Sequence, residues 1–274
     1  MPVTTATFDF VRDLVRRESA IVLAPGKEYL VEARLTPIAR SVGDPSVDKL
    51  VERLRCSIDP SLRSRVVEAL TTNETSWYRD GDPFTALSTV VLPEIASRPG
   101  FDGTFRIWSA ACSSGQEAYT IAMEVAEMQA ARPVRAEIIA TDLSPTMVER
   151  VRAGKYSQLE INRGMPAAKL VKHFTRHGTE WVVDPRLRAM VTARTMNLAA
   201  PFAGLGSFDI VFLRNVLIYF DVPTKQQILQ RVRAVMRPDA YLFLGSAEVT
   251  IGVDDSWIRS TAGRCSFYRP SLGA

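Results

Sequence analysis

The residues able to do chemistry in this chain cluster in a few short segments. Ala111-Cys-Ser-Ser-Gly-Gln-Glu117 offers small side chains followed by an acid. Small residues let a ligand approach the backbone closely, and Gly115 tolerates dihedrals closed to other residues. The Gly-x-Gly-x-x-Gly spacing of diphosphate-binding turns is absent. Asp142 ends an apolar run, a position from which a carboxylate commonly holds a ribose diol. Together these features point to a nucleoside-bearing ligand without a diphosphate, and S-adenosylmethionine meets that description. On these two features alone, the plainer reading of a turn at Gly115 and a helix-entry acid at Asp142 stays open.

Two further segments hold more hydrogen-bonding groups than packing requires. Thr71-Thr-Asn-Glu-Thr-Ser-Trp-Tyr-Arg-Asp80 is one, and Arg214-Asn-Val-Leu-Ile-Tyr-Phe-Asp221 is the other. Arg214 and Asn215 directly follow an apolar run, so the strand reading puts them at its carboxyl end, where α/β sheets bind ligands. A helix cap and a surface arginine is the alternative. His173 and His177 are four apart, but no neighbouring Cys or acid cluster completes a metal set, so no metal is expected. Cys112 has no base partner and reads as packing. Ser113, Ser114 and the two histidines form no recognisable nucleophile triad.

The elements that must position these residues differ between the two halves of the chain. In residues 1–72, Phe8, Val11, Leu14 and Val15 share one helical face, and Val47, Leu50, Val51 and Leu54 repeat the spacing after Ser46. Asp59 and Pro60 open another helix with Leu62, Val66, Val67 and Leu70 inward. Pro37 is expected to kink or divide the stretch from Pro25 to Val42, with Thr36 capping the second piece.

From residue 73 to 274 the texture alternates. Phe105-Arg-Ile-Trp-Ser-Ala-Ala, Ala136-Glu-Ile-Ile-Ala-Thr-Asp142, Phe208-Asp-Ile-Val-Phe-Leu and Tyr241-Leu-Phe-Leu read as strands separated by helices. That alternation predicts an α/β doubly wound parallel sheet. The stretch at about 157–189 breaks it, with a polar helix over roughly Pro166 to Arg176. Trp181-Val-Val, a turn at Asp184-Pro185 and Met190-Val-Thr-Ala follow, read together as an inserted subdomain with antiparallel pairing.

Apolar residues make up 46% of the 274 and charged residues 23%, the balance of a globular protein. No run is apolar enough for a bilayer, and MPVTTATFDF lacks a secretory pattern, so direct membrane insertion is not expected. The three scattered cysteines suit a reducing, cytoplasmic setting better than a disulfide framework. A net charge of +4 permits an acidic partner, but no basic stripe with interleaved aromatics argues for nucleic acid.

TTNETSWYRD, RIWSAACSSGQEAYTIAM, ATDLSPTM, FDIVFLRNVLIYFD and YLFLGSAE occur in that order. They resemble the motifs of CheR-type chemotaxis receptor methyltransferases, and the resemblance extends over nearly the whole chain. It implies a Rossmann-like S-adenosylmethionine-dependent methyltransferase domain, an all-helical N-terminal domain and a small inserted antiparallel β subdomain. It also implies transfer of a methyl group from S-adenosyl-L-methionine, leaving S-adenosyl-L-homocysteine, to glutamates of methyl-accepting chemotaxis receptors. A methyltransferase on another acceptor and a non-catalytic cofactor-sensing module are the alternatives.

By the same resemblance, Asn73, Thr75 and Arg79 contact the cofactor, with Arg79 also near the transfer centre. Glu117 receives the amino group of the methionine moiety, and Asp142 the ribose. Asn197 and Leu198 lie beside adenine, Arg214 and Asn215 form the pair after the strand, and Tyr219 faces the reaction centre. Gln116 and Ala118 stand where Glu and Pro are expected, Asp239-Ala240 where Gly-Gly is, and Trp77-Tyr78 where two phenylalanines are. None of these removes an expected contact. The stretch His177-Gly-Thr-Glu-Trp181 has a single glycine, where some members carry a glycine-rich loop that binds a receptor pentapeptide; no such tether is expected here. From charge alone, Arg34 and Arg40 are the first choices among the basic residues of the helical module for contact with an acidic receptor helix, with a solvated surface of mixed charge as the alternative.

Overall fold

Thr4 accepts the N–H of Thr7 and so opens the first helix, α1 (Thr5–Ser19), whose face of Phe8, Val11, Leu14 and Val15 is buried. The structure is a computed structural model and describes residues 3–56 and 59–271. Their contacts divide the chain into two compact units, Met1–Thr72 with Tyr219–Thr224, and Asn73–Ile218 with Lys225–Ala274.

The helical unit continues with α2 (Glu28–Ser41), α3 (Val47–Cys56) and α4 (Pro60–Leu70). Ser46 and Asp59 cap α3 and α4 by accepting N–H groups of Lys49 and Leu62. The chain is not divided at Pro37, since α2 is one helix with Pro37 inside it. Proline removes one backbone hydrogen bond and crowds the preceding turn, at about 3 kcal/mol. Burial of Val31, Leu35, Ile38 and Ala39 along one face opposes that cost. Thr36 caps no second piece; its hydroxyl bonds back to the Glu32 carbonyl at 2.7 Å. The Asp48 carboxylate takes the hydroxyls of Thr4 (2.9 Å) and Thr7 (2.5 Å), joining α3 to α1. In the segment Tyr219–Thr224, the Tyr219 carbonyl accepts the Val22 N–H at 2.9 Å, and Asp221 pairs with Arg16 at 3.0 Å.

The second unit begins with α5 (Asp82–Ala86), a π-turn over Leu87–Val91 and α6 (Leu92–Ala96). It then alternates β1 (Thr104–Ala110), α7 (Gln116–Gln129), β2 (Arg135–Asp142) and α8 (Pro145–Ala153). β3 (Lys155–Ser157), α9 (Gln158–Ile161), α10 (Ala167–His173), β4 (Phe174–His177), β5 (Glu180–Val183) and α11 (Pro185–Arg188) follow. β6 (Val191–Thr195), β7 (Phe208–Leu213), α12 (Val222–Ala234), β8 (Met236–Leu244), β9 (Trp257–Ala262) and β10 (Cys265–Pro270) complete the order.

The large sheet runs β6-β2-β1-β7-β8-β10-β9. The first five strands are mutually parallel, and β10 pairs antiparallel with both β8 and β9. Every residue of β7 is buried, as a central parallel strand requires. From β1 the chain steps outward through β2 to β6 on one side, then crosses from β6 to β7 on the other side of β1, so the strand order reverses between β1 and β7. In a doubly wound sheet, ligands settle outside the carboxyl ends of the strands at that reversal.

A second sheet, β3-β5-β4, is antiparallel as expected. The run at Met190-Val-Thr-Ala is not part of it. β6 pairs with β2 in the large sheet, from Ile138↔Val191 to Asp142↔Thr195. The short helix α11 returns the chain to the sheet edge, where alternation resumes sooner than composition suggests. The helix expected to reach Arg176 ends at His173, and His177 lies in β4, so the two histidines share no helical face. Among the described residues, no group of three or more His, Cys, Asp or Glu side chains could hold a metal. Likewise no helix is long and apolar enough to cross a membrane.

Candidate functional site

Three segments meet at the carboxyl tips of β1 and β7. After β1, the backbone turns through left-handed Ala111 (φ 54°) and Ser113 (φ 50°) before Gly115 caps α7. That turn presents Glu117 in the first helical turn of α7. After β7 comes Arg214, whose side chain is 1% exposed. Its guanidinium reaches Glu117 at 3.0 Å, Asp80 at 2.8 Å and the Arg79 carbonyl at 2.8 Å. One buried cation thus joins the β1 loop, the β7 loop and the segment before α5. The alternative of a surface arginine at 214 is excluded by its burial. The Ser109 hydroxyl, at the end of β1, donates to the other Glu117 oxygen at 2.8 Å. Burial pushes the Glu117 carboxyl above its usual range, and the charge of Arg214 opposes that without cancelling it.

Asp142, at the tip of β2, has its carboxylate oriented by two backbone N–H groups, Ser113 at 2.8 Å and Ser144 at 2.9 Å. Ser113 also donates its hydroxyl to the Asn73 carbonyl at 2.7 Å, drawing the Asn73–Arg79 segment onto the β1 loop. Asn197 and Leu198 follow β6 directly. Met196 donates its N–H to the Asp142 carbonyl at 2.8 Å, which keeps both beside that acid along the sheet edge. Leu198 is buried, and the Asn197 amide oxygen accepts the Ala199 N–H at 2.9 Å. Thr75 and Arg79 are half-buried, and Arg79 donates to the Glu74 carbonyl at 3.1 Å.

Asn215 takes a left-handed φ of 58°, and its N–H donates to Glu248 at 2.7 Å. Glu248 also accepts the N–H groups of Gly245 (2.7 Å) and Ile218 (3.3 Å), so one buried carboxylate clasps the loops after β7 and β8. A Cβ at Gly245 would lie 2.6 Å from the Asn215 amide nitrogen and 2.7 Å from Glu248, so only glycine fits there.

Backbone strain marks the same place. Among the described residues, six other than glycine take left-handed φ, and one, Ala20, is a helix C-cap. The other five are Tyr78, Asp80, Ala111, Ser113 and Asn215, all in these three segments. Residues held in sparsely populated backbone regions gather where geometry is functionally constrained.

The structure therefore brings together Asn73, Arg79, Glu117, Asp142, Asn197, Leu198, Arg214 and Asn215 around the tips of one sheet. It groups Tyr219 with the helical unit, in a 3-10 turn over Leu217–Tyr219. Arg34 and Arg40 also belong to that unit. Arg40 is exposed, whereas the guanidinium of Arg34 donates to the carbonyls of Thr71 (2.6 Å) and Ala69 (3.4 Å) at the end of α4. Sequence reasoning gave no role to Asp80, Ser109 or Glu248. Glu248 was within reach of the rule that found Asp142, since it is an acid shortly beyond a strand tip.

A doubly wound sheet with this order, with Glu117 and Asp142 at its strand tips, has the fold of an S-adenosylmethionine-dependent methyltransferase domain. The chain belongs to the CheR methyltransferase family. Residues 73–264 match the model described as "CheR methyltransferase, SAM binding domain", and residues 6–71 match "CheR methyltransferase, all-alpha domain". It is 42% identical over 262 residues to "Chemotaxis protein methyltransferase Cher2" of Pseudomonas putida, covering 93% of this chain and 94% of that one. It is 40% identical over 262 residues to "Chemotaxis protein methyltransferase 1" of Pseudomonas aeruginosa, covering 94% and 95%. The chemotaxis protein methyltransferase of Escherichia coli is 33% identical over 254 residues, covering 90% and 85%.

Proposed function

We propose that this chain esterifies glutamate side chains on the cytoplasmic helices of methyl-accepting chemotaxis receptors, without a pentapeptide tether. The observation that carries the choice of acceptor is the make-up of the crevice. Its segments 73–81, 111–117, 142–147, 195–198 and 214–218 contain arginines and acids but no histidine or lysine. The acids Glu117 and Asp80 are bound to Arg214. The remaining acids are engaged too, Glu74 with Arg163 and Asp142 with the N–H groups of Ser113 and Ser144, so the segments favour an acceptor that arrives as its own nucleophile. A glutamate carboxylate does so, because its ordinary pKa of about 4.3 leaves it ionised at neutral pH. An amine acceptor would have to shed a proton first.

S-adenosylmethionine supplies a methyl group on a positively charged sulfur, activated for attack by an oxygen nucleophile. Glu117 is suited to the cofactor's ammonium group, being a half-buried carboxylate held in place by Ser109 and Arg214. Asp142 is suited to the ribose hydroxyls, and Asn197 and Leu198 to the adenine. Asn73, Thr75, Arg79, Arg214 and Asn215 complete the cofactor contacts. Arg79 and Tyr219 orient the acceptor carboxylate through hydrogen bonds, and neither transfers a proton. Catalysis is then a matter of alignment.

The β4–β5 turn supports the absence of a tether. His177 pairs with Glu180, leaving only Gly178 and Thr179 in the turn, too few to embrace a peptide. Incubation with labelled cofactor and receptor fragments tests the whole reading. The expected product carries label that base releases, as esters hydrolyse and N-methyl groups do not. Base-stable label would mean another acceptor, and cofactor binding with no transfer would mean a sensor.

A further inference from the structure

The β3-β5-β4 sheet cannot stand alone. Its strands hold three or four residues each, shorter than the strands of ordinary stable sheets. Its buried side chains Tyr156, Phe174 and Val183 belong to the same apolar core as β1 and β7. The ring at the junction is Trp77, buried edge-on against Tyr156 at 4.8 Å and Phe174 at 5.3 Å. Trp77 lies within Asn73–Arg79, the segment assigned above to cofactor contact.

The backbone is gripped as well. Trp77 donates its N–H to the Arg163 carbonyl at 3.0 Å. The next residue, Gly164, is left-handed (φ +96°), and a Cβ there would lie 2.3 Å from the Trp77 carbonyl oxygen. The chain after α9 therefore abuts the cofactor segment with no room for a side chain. On a second front, the Tyr156 hydroxyl in β3 donates to the Ser114 carbonyl at 2.8 Å, inside the loop that follows β1. The same subdomain holds both the Asn73–Arg79 segment and the loop after β1.

We propose that this subdomain is a buttress of the cofactor pocket, with Gly164 and Tyr156 as positioning residues. It fixes the left-handed turns at Tyr78 and Ser113 from behind, so that Asn73, Arg79 and Glu117 are already in place when the cofactor arrives. Because coupling between binding and local order is reciprocal, the bound cofactor also steadies the subdomain. The inference rests on the cofactor reading given above.

Titration of S-adenosylhomocysteine into the full chain by calorimetry tests it. Gly164→Ala should weaken binding by about tenfold or more, and Tyr156→Phe by roughly threefold to tenfold, as expected when a preorganised site is loosened. Gly178→Ala, in the β4–β5 turn, is the control. It imposes the same kind of left-handed strain (φ +60°) with nothing within 4 Å of its Cβ, so binding should stay within about twofold. In hydrogen exchange, the ligand should slow amide exchange in β3, β4 and β5. Should Gly164→Ala not fold, Tyr156→Phe and the exchange measurement decide. Wild-type affinity in both folded variants would overturn the proposal, as would unchanged exchange in all three strands. Glu117→Gln and Asp142→Asn separate the two readings. If they lose affinity while Gly164→Ala and Tyr156→Phe do not, only the buttress fails; if they too bind normally, the cofactor reading fails.

Discussion

The guanidinium of Arg214 lies 3.0 Å from the Glu117 carboxylate, and the pair ties the loop after β7 to the helix after β1. Burial still holds the Glu117 carboxyl above its ordinary pKa. Its protonated form is therefore favoured more in the folded chain than in the unfolded one. The stability from this group is fully present below about 4.5 and is lost as pH rises through the raised value. Glu117→Gln should flatten the stability–pH curve over that window, checked by urea unfolding at several pH values. Cofactor affinity should run the opposite way, falling as the pH drops through the raised value, and Glu117→Gln should remove that dependence in calorimetry.

The two arginines expected to meet the receptor should behave differently. Arg34 holds the carbonyls at the end of α4, so Arg34→Ala should lower stability by about 1–2 kcal/mol, read by urea unfolding. Arg40 is exposed, so Arg40→Glu should leave stability nearly unchanged while raising KM for the receptor fragment and weakening its salt dependence. Identical KM values for Arg40→Glu and the wild type would remove Arg40 from docking.

Gly245→Ala is expected to cost about 1–3 kcal/mol, because its Cβ would lie 2.8 Å from the Asn215 backbone nitrogen, which cannot simply rotate away. The loss should appear both in Tm and in turnover, since the Glu248 clasp opens with it. A fully active Gly245→Ala protein would show that the clasp has no bearing on the reaction.

Tyr219→Phe should reduce kcat for receptor methylation by about ten- to a hundredfold, the worth of one hydrogen bond to a charged group. The Kd for S-adenosylhomocysteine should change little. Equal kcat values for the two proteins would take Tyr219 out of the mechanism.

Much of this was legible from the residues, and the exceptions have identifiable causes. The parallel strands announced themselves because β7, buried throughout, must be nearly all apolar. The helix caps at Ser46 and Asp59 could be read because capping is local. The continuity of α2 through Pro37 was not decided by the residues because its buried face is a tertiary matter, and β6 misled because five residues of edge strand look the same in either sheet. The β9–β10 hairpin went unseen, since burial along its strands follows neither a continuous apolar run nor strict alternation. At the site, the acids at strand tips could be anticipated from strand direction alone. The contacts of Arg214 with Asp80 and of Glu248 with Asn215 could not, since they span 134 and 33 residues along the chain.

The left-handed turns at Ala111, Ser113 and Asp80 have a consequence for heat resistance. At Ala111, Ser113 and Asp80, a side chain is kept where glycine would sit without the roughly 1 kcal/mol steric penalty that φ above zero imposes on other residues. Hardening this protein against temperature by relieving those bends would also let the crevice wander, so its melting point and its speed are set against each other at the same few peptide units.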